Sequence, residues 1–253
     1  MFPKGMSYFF RHLLTPLTLA ALTACTQTEP SRAELEPSAE LEQSGRLLAL
    51  SGGDAGATGA CITCHGLQGE GNGGDAPRLA GLNAGYVVRQ IDNFSSGQRR
   101  HPSMVWIADQ IDWPDRVRLG EYYMSLPVPD HVPGANPIGE IGCSLEAVTL
   151  YQEGDADRGL PSCASCHGPL GQGSMGVPPL TKQPAPYLAL QLEHWRNGER
   201  YGDPQMLAIS RLLTDEEVQA LAGYSAALRD ASPYPGLPAA CLPERRPDPR
   251  SGA

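Results

Sequence analysis

Basic residues are scarce in this chain of 253 residues: 19 Lys and Arg stand against 28 Asp and Glu, for a formal net charge of −9 at pH 7. Because proteins neutralise nucleic-acid phosphates with Lys and Arg, this balance argues against nucleic acid as a partner. Sustained strand alternation is also missing. The N-terminal apolar run, residues 13–24, is too short to cross a bilayer as a helix. What remains is helical periodicity interrupted by 29 Gly and 24 Pro, which predicts a helical protein with long connecting segments.

The first 24 residues have the layout of a secretory signal peptide, with Lys4 and Arg11 ahead of the apolar run. A short transmembrane anchor is the alternative. The run ends in Leu-Thr-Ala-Cys25, which resembles a bacterial lipobox, so we expect Cys25 to be lipidated and to become the mature N-terminus. Ordinary cleavage is the alternative, but it leaves a free thiol, which is a liability in an oxidising compartment. We therefore predict an exported protein, lipid-anchored on the periplasmic side of a bacterial membrane.

Two blocks of the chain repeat one another. The motif Cys61-x-x-Cys64-His65-Gly66 returns as Cys163-x-x-Cys166-His167-Gly168, 102 residues later. Further pairs follow in the same order: Gly69 and Gly71 with Gly171 and Gly173, Tyr86 and Gln90 with Tyr187 and Gln191, Met104 with Met206, and Tyr122 with Tyr224. A similarity of this length indicates a duplicated domain.

Composition divides the rest of the chain. Glu-, Pro- and Ser-rich stretches read as tethers and linkers. The predicted segments are a signal peptide (1–24), a flexible tether (25–45), domain 1 (46–126), a linker (127–142), domain 2 (143–228) and a Pro-rich tail (229–253). The last helix of domain 2 begins with Thr214-Asp-Glu-Glu217, a capping-box pattern.

The repeated C-x-x-C-H motif is typical of covalent c-type haem attachment, in which two thiols add to the haem vinyl groups and the histidine binds the iron. We therefore expect two covalently bound haem c groups. Their residues are Cys61 and Cys64 with His65 as axial ligand, and Cys163 and Cys166 with His167 as axial ligand. A zinc site is disfavoured because paired C-x-x-C motifs normally lie ~15–20 residues apart. A thioredoxin-like site lacks its βαβ context, and a disulfide within either pair leaves the repeated histidine unexplained.

The repeat also selects the sixth ligand of each iron. Among six methionines, Met104 and Met206 each lie 43 residues beyond the first cysteine of their own motif. Met175 follows its motif too closely, and Met124 falls on a helix position that we expect to face the core. Three further histidines have no histidine counterpart in the other copy and are expected at the surface: His101, His131 and His194. His101, three residues before Met104, is the alternative ligand to test.

Both halves resemble class I cytochrome c domains, and their tandem arrangement is similar to the di-haem cytochrome c4 family over about residues 46–228. The resemblance rests on GDA, CxxCHG-x-x-G-x-G, P-x-L, Y-x-x-x-Q, the downstream methionine and a closing L-x-x-Y-x-x-x-L helix. It implies an all-α fold of two tandem class I cytochrome c domains with facing propionate edges. It also implies that the carbonyls of Pro77 and Pro178 accept hydrogen bonds from the Nδ1 atoms of the haem histidines.

The same resemblance suggests roles for two further pairs of residues. Arg99 and Arg200 neutralise haem propionates, or else are solvated surface residues. Phe94 and Trp195 pack near the porphyrin, or else simply fill the core.

Two cysteines outside the motifs, Cys143 and Cys241, are expected to form a disulfide that ties the tail to domain 2. Exported proteins of this kind retain such bonds.

Two six-coordinate irons leave no open position for a substrate, so we expect outer-sphere electron transfer and not an enzyme. The expected partners are redox proteins: a quinol-oxidising complex upstream and a terminal oxidase or reductase downstream. Two alternatives stay open. One is the cytochrome subunit of a dehydrogenase, and the other is a di-haem enzyme such as a peroxidase or a thiosulfate dehydrogenase.

Overall fold

The computed structural model describes residues 44–135, 144–174 and 176–228. Within these ranges the regular structure is helical, and β pairing is limited to isolated bridges such as that between Arg99 and Arg200. The predicted lipidation residue, Cys25, and the predicted disulfide pair, Cys143 and Cys241, lie outside the described residues. None of the described helices is long and apolar enough to span a bilayer.

Between residues 44 and 135, five α-helices follow one another: α1 Gly45–Ser51, α2 Ile62–His65, α3 Ala84–Ser95, α4 Pro102–Asp109 and α5 Trp113–Ser125. Helix α5 packs against α1 and α3, and α3 also packs against α4. The side chains of Asn83 and Asp112 accept hydrogen bonds from backbone N–H groups in the first turns of α3 and α5. The buried core between these helices includes Ala49, Val87, Ile91, Phe94 and Leu119.

The second half repeats this order: α6 Leu145–Gln152, α7 Ala164–His167, α8 Ala185–Asn197, α9 Pro204–Ser210 and α10 Asp215–Ala227. Helix α10 packs against α6 and α8, as α5 packs against α1 and α3. The predicted capping box is confirmed, because Thr214 and Glu217 exchange side-chain to backbone hydrogen bonds at the start of α10. The predicted all-α, duplicated architecture is therefore confirmed.

The first part of the predicted linker, residues 127–135, packs against the protein. Val132 and Ala135 are buried, and the Ala185 N–H at the start of α8 donates to the Gly134 carbonyl at 2.9 Å. Residues 127–135 are therefore part of the packed structure, and they contact the second half at the start of α8. The exact domain boundaries stay predictions.

Two candidate haem sites

Each C-x-x-C-H motif forms one helical turn. Cys61 and Cys163 have α-helical backbone angles, and the N–H of the motif histidine donates to their carbonyls at 2.9 Å in both copies. Residues three apart share a helix face, so each pair of cysteines faces the same side. Cys61 and Cys163 are half-buried, while Cys64 and Cys166 are exposed. None of these four cysteines forms a disulfide with another described cysteine.

The two motif histidines are oriented by backbone carbonyls. His65 Nδ1 donates to the Pro77 carbonyl at 2.9 Å, and His167 Nδ1 donates to the Pro178 carbonyl at 2.9 Å. Both predicted hydrogen bonds are confirmed. Burial lowers the pKa of each ring, and it outweighs the raising effect of the proline carbonyl. Each imidazole is therefore neutral, with its proton on Nδ1 and its Nε2 lone pair available to a metal.

A glycine in each loop allows the proline to reach its histidine. Gly71 has a φ of +83°, and an added Cβ would lie 2.7 Å from the Ala76 carbonyl oxygen. Gly173 has a φ of +73°, and its Cβ would lie 2.6 Å from the Val177 carbonyl oxygen. Both glycines also donate from their N–H to the carbonyl of the motif histidine. A larger residue at either position would displace the segment that carries the proline.

The predicted residues of both sites line one continuous cavity of about 510 Å³. Its wall in the first half contains Cys61, Cys64, His65 and Met104. Its wall in the second half contains Cys163, Cys166, His167 and Met206. Met124, which we expected to face the core, is 48% exposed, so that prediction was wrong. Met175 lies outside the described residues.

His101 has a structural explanation that does not need an iron. Its Nδ1 accepts a hydrogen bond from the Met104 N–H at 3.4 Å, and its Nε2 lies 3.7 Å from the Asp75 carboxylate. In the second half, Asp203 accepts from the Met206 N–H at 3.2 Å in the same position. His101 and Asp203 are therefore equivalent N-caps that fix the start of each methionine-bearing helix.

Arg99 and Arg200 meet between the two halves, and both are 6% exposed. Each guanidinium lies over an aromatic ring, Phe94 for Arg99 and Trp195 for Arg200, at 4.5 Å from the ring centroid. Burial excludes the solvated alternative for both arginines. It also lowers the pKa of Arg99, and the charge of Arg200 lowers it further.

The two arginines bind residues of both halves. Arg99 donates to Tyr187 Oη at 2.8 Å, Gln191 Oε1 at 2.7 Å and Gln90 Oε1 at 2.9 Å. Arg200 donates to Tyr86 Oη at 3.2 Å, Gln90 Oε1 at 2.8 Å and Gln191 Oε1 at 3.0 Å. Neither forms an ion pair with a carboxylate of the described chain. Two buried cations without anionic partners need negative charge from elsewhere, and all six side chains line the cavity.

Two residues in or near the sites carry no motif signal and were missed. Arg78 is 1% exposed and donates to the carbonyls of Lys182 and Thr181, which ties the two halves together. Tyr123 is 2% exposed, lines the cavity, and stands where the second copy has Ser225. The mismatch between the two copies is the sequence signal for Tyr123.

The residues present fit haem c. The cavity is bordered by two thiols, a neutral imidazole and a thioether in each half, and two buried arginines face it without anionic partners. These are the groups that covalent attachment, axial ligation and propionate compensation require.

Comparison with known proteins identifies the family. Residues 153–224 match the family model described as cytochrome c oxidase, cbb3-type, subunit III. A thiosulfate dehydrogenase electron acceptor from Stutzerimonas stutzeri (strain A1501) is 38% identical over 190 residues, which cover 72% of this chain and 85% of that protein. A cytochrome c4 from Thiocapsa roseopersicina is 32% identical over 177 residues, which cover 68% of this chain and 88% of that protein.

A solved structure shows the same fold. The thiosulfate dehydrogenase from Marichromatium purpuratum superposes with a TM-score of 0.64 at 39% identity. The match covers 74% of this chain but only 40% of that longer chain. Sequence similarity and fold together show that the chain belongs to the di-haem cytochrome c4 family, and that it is an electron-transfer cytochrome with two covalently bound haem c groups.

Proposed function

We propose that one haem c is bound by Cys61 and Cys64 with His65 and Met104 on its iron. The second is bound by Cys163 and Cys166 with His167 and Met206. The shared cavity wall and the two Nδ1 hydrogen bonds support these assignments. The bound haem supplies one-electron exchange between Fe(II) and Fe(III), and thioether ligation favours the reduced state. With His65 and Met104 holding one iron and His167 and Met206 holding the other, neither site would have room for a substrate.

Arg99 and Arg200 complete this proposal. We assign to them the compensation of haem propionates, because both are buried without a carboxylate partner at the junction of the two halves. Their shared bonds to Gln90 and Gln191 link the two sites through one network. Buried cations beside both sites would favour the reduced irons, because positive charge stabilises Fe(II) over Fe(III).

The proposed electron donor is a thiosulfate dehydrogenase. The observation that carries this proposal is the 38% identity, over 85% of its length, to a protein named as the electron acceptor of that enzyme. A second protein of the same name, from Thiomonas intermedia (strain K12), is 36% identical over 78% of its length. Joining two thiosulfate ions through a sulfur–sulfur bond releases two electrons, and two haems accept one each. A terminal oxidase or reductase is the proposed acceptor downstream.

The test mixes oxidised, haem-loaded protein with a purified thiosulfate dehydrogenase and thiosulfate, and follows the absorption of reduced haem. We expect both haems to be reduced only when enzyme and thiosulfate are both present. Ascorbate serves as the control that both haems are reducible. Reduction by ascorbate but not by enzyme and thiosulfate would refute this donor and leave a quinol-oxidising complex as the alternative. Carbon monoxide should leave the reduced spectrum unchanged, whereas binding at one haem would favour the di-haem enzyme.

The family assignment supports an exported protein, and we propose that a lipid on Cys25 anchors it. Replacing Cys25 with Ser should move the haem protein from the membrane fraction to the soluble fraction. We also propose a disulfide between Cys143 and Cys241. Non-reducing peptide mapping should join these two cysteines, and finding both as free thiols would contradict the bond.

A further inference from the structure

The two haem sites differ at one buried position of the closing helix. Helices α5 and α10 align through Tyr122 and Tyr224, so the next residue is Tyr123 in the first half and Ser225 in the second. Both are buried and both line the cavity. The second half has a phenol near its own first motif cysteine, because Tyr151 lies close to Cys163, but the Tyr151 hydroxyl donates to the Gly168 carbonyl at 2.9 Å.

The Tyr123 hydroxyl is buried and has no nitrogen or oxygen hydrogen-bond partner in the described part of the chain. Such a group is unfavourable unless the assembled protein supplies a partner. Its polar neighbour is the side chain of Cys61, which packs against the core cluster that contains Tyr123 and lines the same wall. Burial raises the pKa of Tyr123, and the nearby Cys61 thiol raises it further, so the phenol keeps its proton. The hydroxyl is therefore a donor that faces a sulfur atom.

Haem attachment settles the direction of this interaction. When the Cys61 S–H adds across a vinyl group, the sulfur bonds to one carbon and the proton goes to the other. The resulting thioether has no proton and is an acceptor only. The Tyr123 O–H is then the one donor of the pair.

We propose that the Tyr123 hydroxyl donates a hydrogen bond to the Cys61 thioether sulfur and thereby raises the reduction potential of the haem in the first half. The proposal rests on the assignment of Cys61 as a haem attachment residue. A hydrogen bond to the sulfur withdraws electron density from the haem edge, which favours Fe(II) over Fe(III). Tyr123 acts through Cys61 and is a positioning residue. In the second half Ser225 is too short to reach the sulfur and the Tyr151 hydroxyl is bonded to the Gly168 carbonyl, so the duplicated sites become inequivalent.

The test is a redox titration of haem-loaded Tyr123→Phe, which keeps the ring and removes the hydroxyl. We expect one of the two midpoint potentials to fall and the other to stay unchanged. The midpoint potential that Met104→Ala shifts belongs to the haem of the first half. Tyr122→Phe is the matched control, because it removes a neighbouring hydroxyl outside the cavity wall and should shift neither midpoint potential. Tyr123→Leu also lacks the hydroxyl and should lower the midpoint potential of the haem in the first half.

Three measurements separate the outcomes. Haem content reports on attachment: a wild-type protein with fewer than two covalent haems refutes the site assignment itself, and this proposal with it. Unchanged midpoints in both Tyr123 variants, with two haems present, overturn the proposal while leaving the electron-transfer function intact. A higher melting temperature of Tyr123→Phe without a potential shift would likewise overturn it, because that result identifies an unpaired hydroxyl.

Discussion

Replacing Arg78 with Ala should weaken the attachment between the two halves of the protein. Arg78 is 1% exposed, and its guanidinium donates to Lys182 O at 3.1 Å, to Thr181 O at 3.3 Å and to the Ala80 carbonyl. Two of these three bonds cross from the first half to the second. Burial lowers the pKa of Arg78 to about 10, so the side chain remains charged at neutral pH. The variant loses these bonds, and the partly buried carbonyls of Lys182 and Thr181 lose their guanidinium donor.

The size of the effect follows from these contacts. A hydrogen bond from a charged donor contributes roughly 1.5–3 kcal/mol, and the long bond to Thr181 belongs at the lower end. Removing the buried cation also removes its desolvation cost, which offsets part of the loss. The two bonds across the junction then give an expected destabilisation of about 3 kcal/mol. The backbone of residue 78 keeps its two bonds to the Gln183 amide, so the variant should still fold.

Guanidinium chloride unfolding of the haem-loaded protein, followed by circular dichroism, measures this change. Arg118→Ala is the control, because Arg118 is 30% exposed and pairs with Asp115 on the same helix. A surface pair of this kind contributes only about 0.5 kcal/mol. A loss below about 1 kcal/mol for Arg78→Ala, similar to the control, would refute the argument that charged bonds across the junction stabilise the fold.

Two further predictions concern an iron ligand and the closing helix of the second half. Met104→Ala or Met206→Ala should lower the potential of its own haem by a sizeable part of the ~0.8 V range that axial ligands span, and should open that iron to carbon monoxide; unchanged spectra and potentials would exclude the ligand assignment. Glu217 is buried, which raises the pKa of its carboxyl, but hydrogen bonds from Arg158 at 2.7 Å and from the Thr214 N–H at 2.8 Å outweigh this and lower it overall. Because the folded pKa lies below the unfolded value, the stabilisation is present above the unfolded pKa and is lost as pH falls through the folded pKa. Glu217→Gln should therefore cost about 1–2 kcal/mol at pH 7, and thermal melts of the two proteins should converge in acid; a difference that does not change with pH would contradict this.

Local chemistry allowed much of the site to be predicted from the sequence. A C-x-x-C-H motif carries its thiols and imidazole within one helical turn, so its function does not depend on distant residues. Duplication then selected Met104 and Met206, and the structure places both in the cavity wall with the motif histidines. The capping box at Thr214 was equally readable, because its two partners lie three residues apart.

The residues that the sequence left ambiguous are those whose environment comes from the other half of the chain. Nothing near Arg99 or Arg200 in the sequence distinguishes a solvated arginine from a buried one. Each of these arginines hydrogen-bonds to a side chain on a helix of the other half, Arg99 to α8 and Arg200 to α3. The prediction for Met124 was wrong for a related reason. Helical periodicity shows which residues share a helix face, but it does not show which face other parts of the protein cover.

The sequence by itself determined that the protein is helical, duplicated and equipped to bind two haems, because each of these properties is encoded within short segments. Only the tertiary structure decided that His101 is a helix cap, that Arg78 joins the two halves, and that Tyr123 faces Cys61. Burial and the pairing of charges arise from contacts between residues far apart in the chain. They are therefore properties of the packed molecule, and short-range patterns do not contain them.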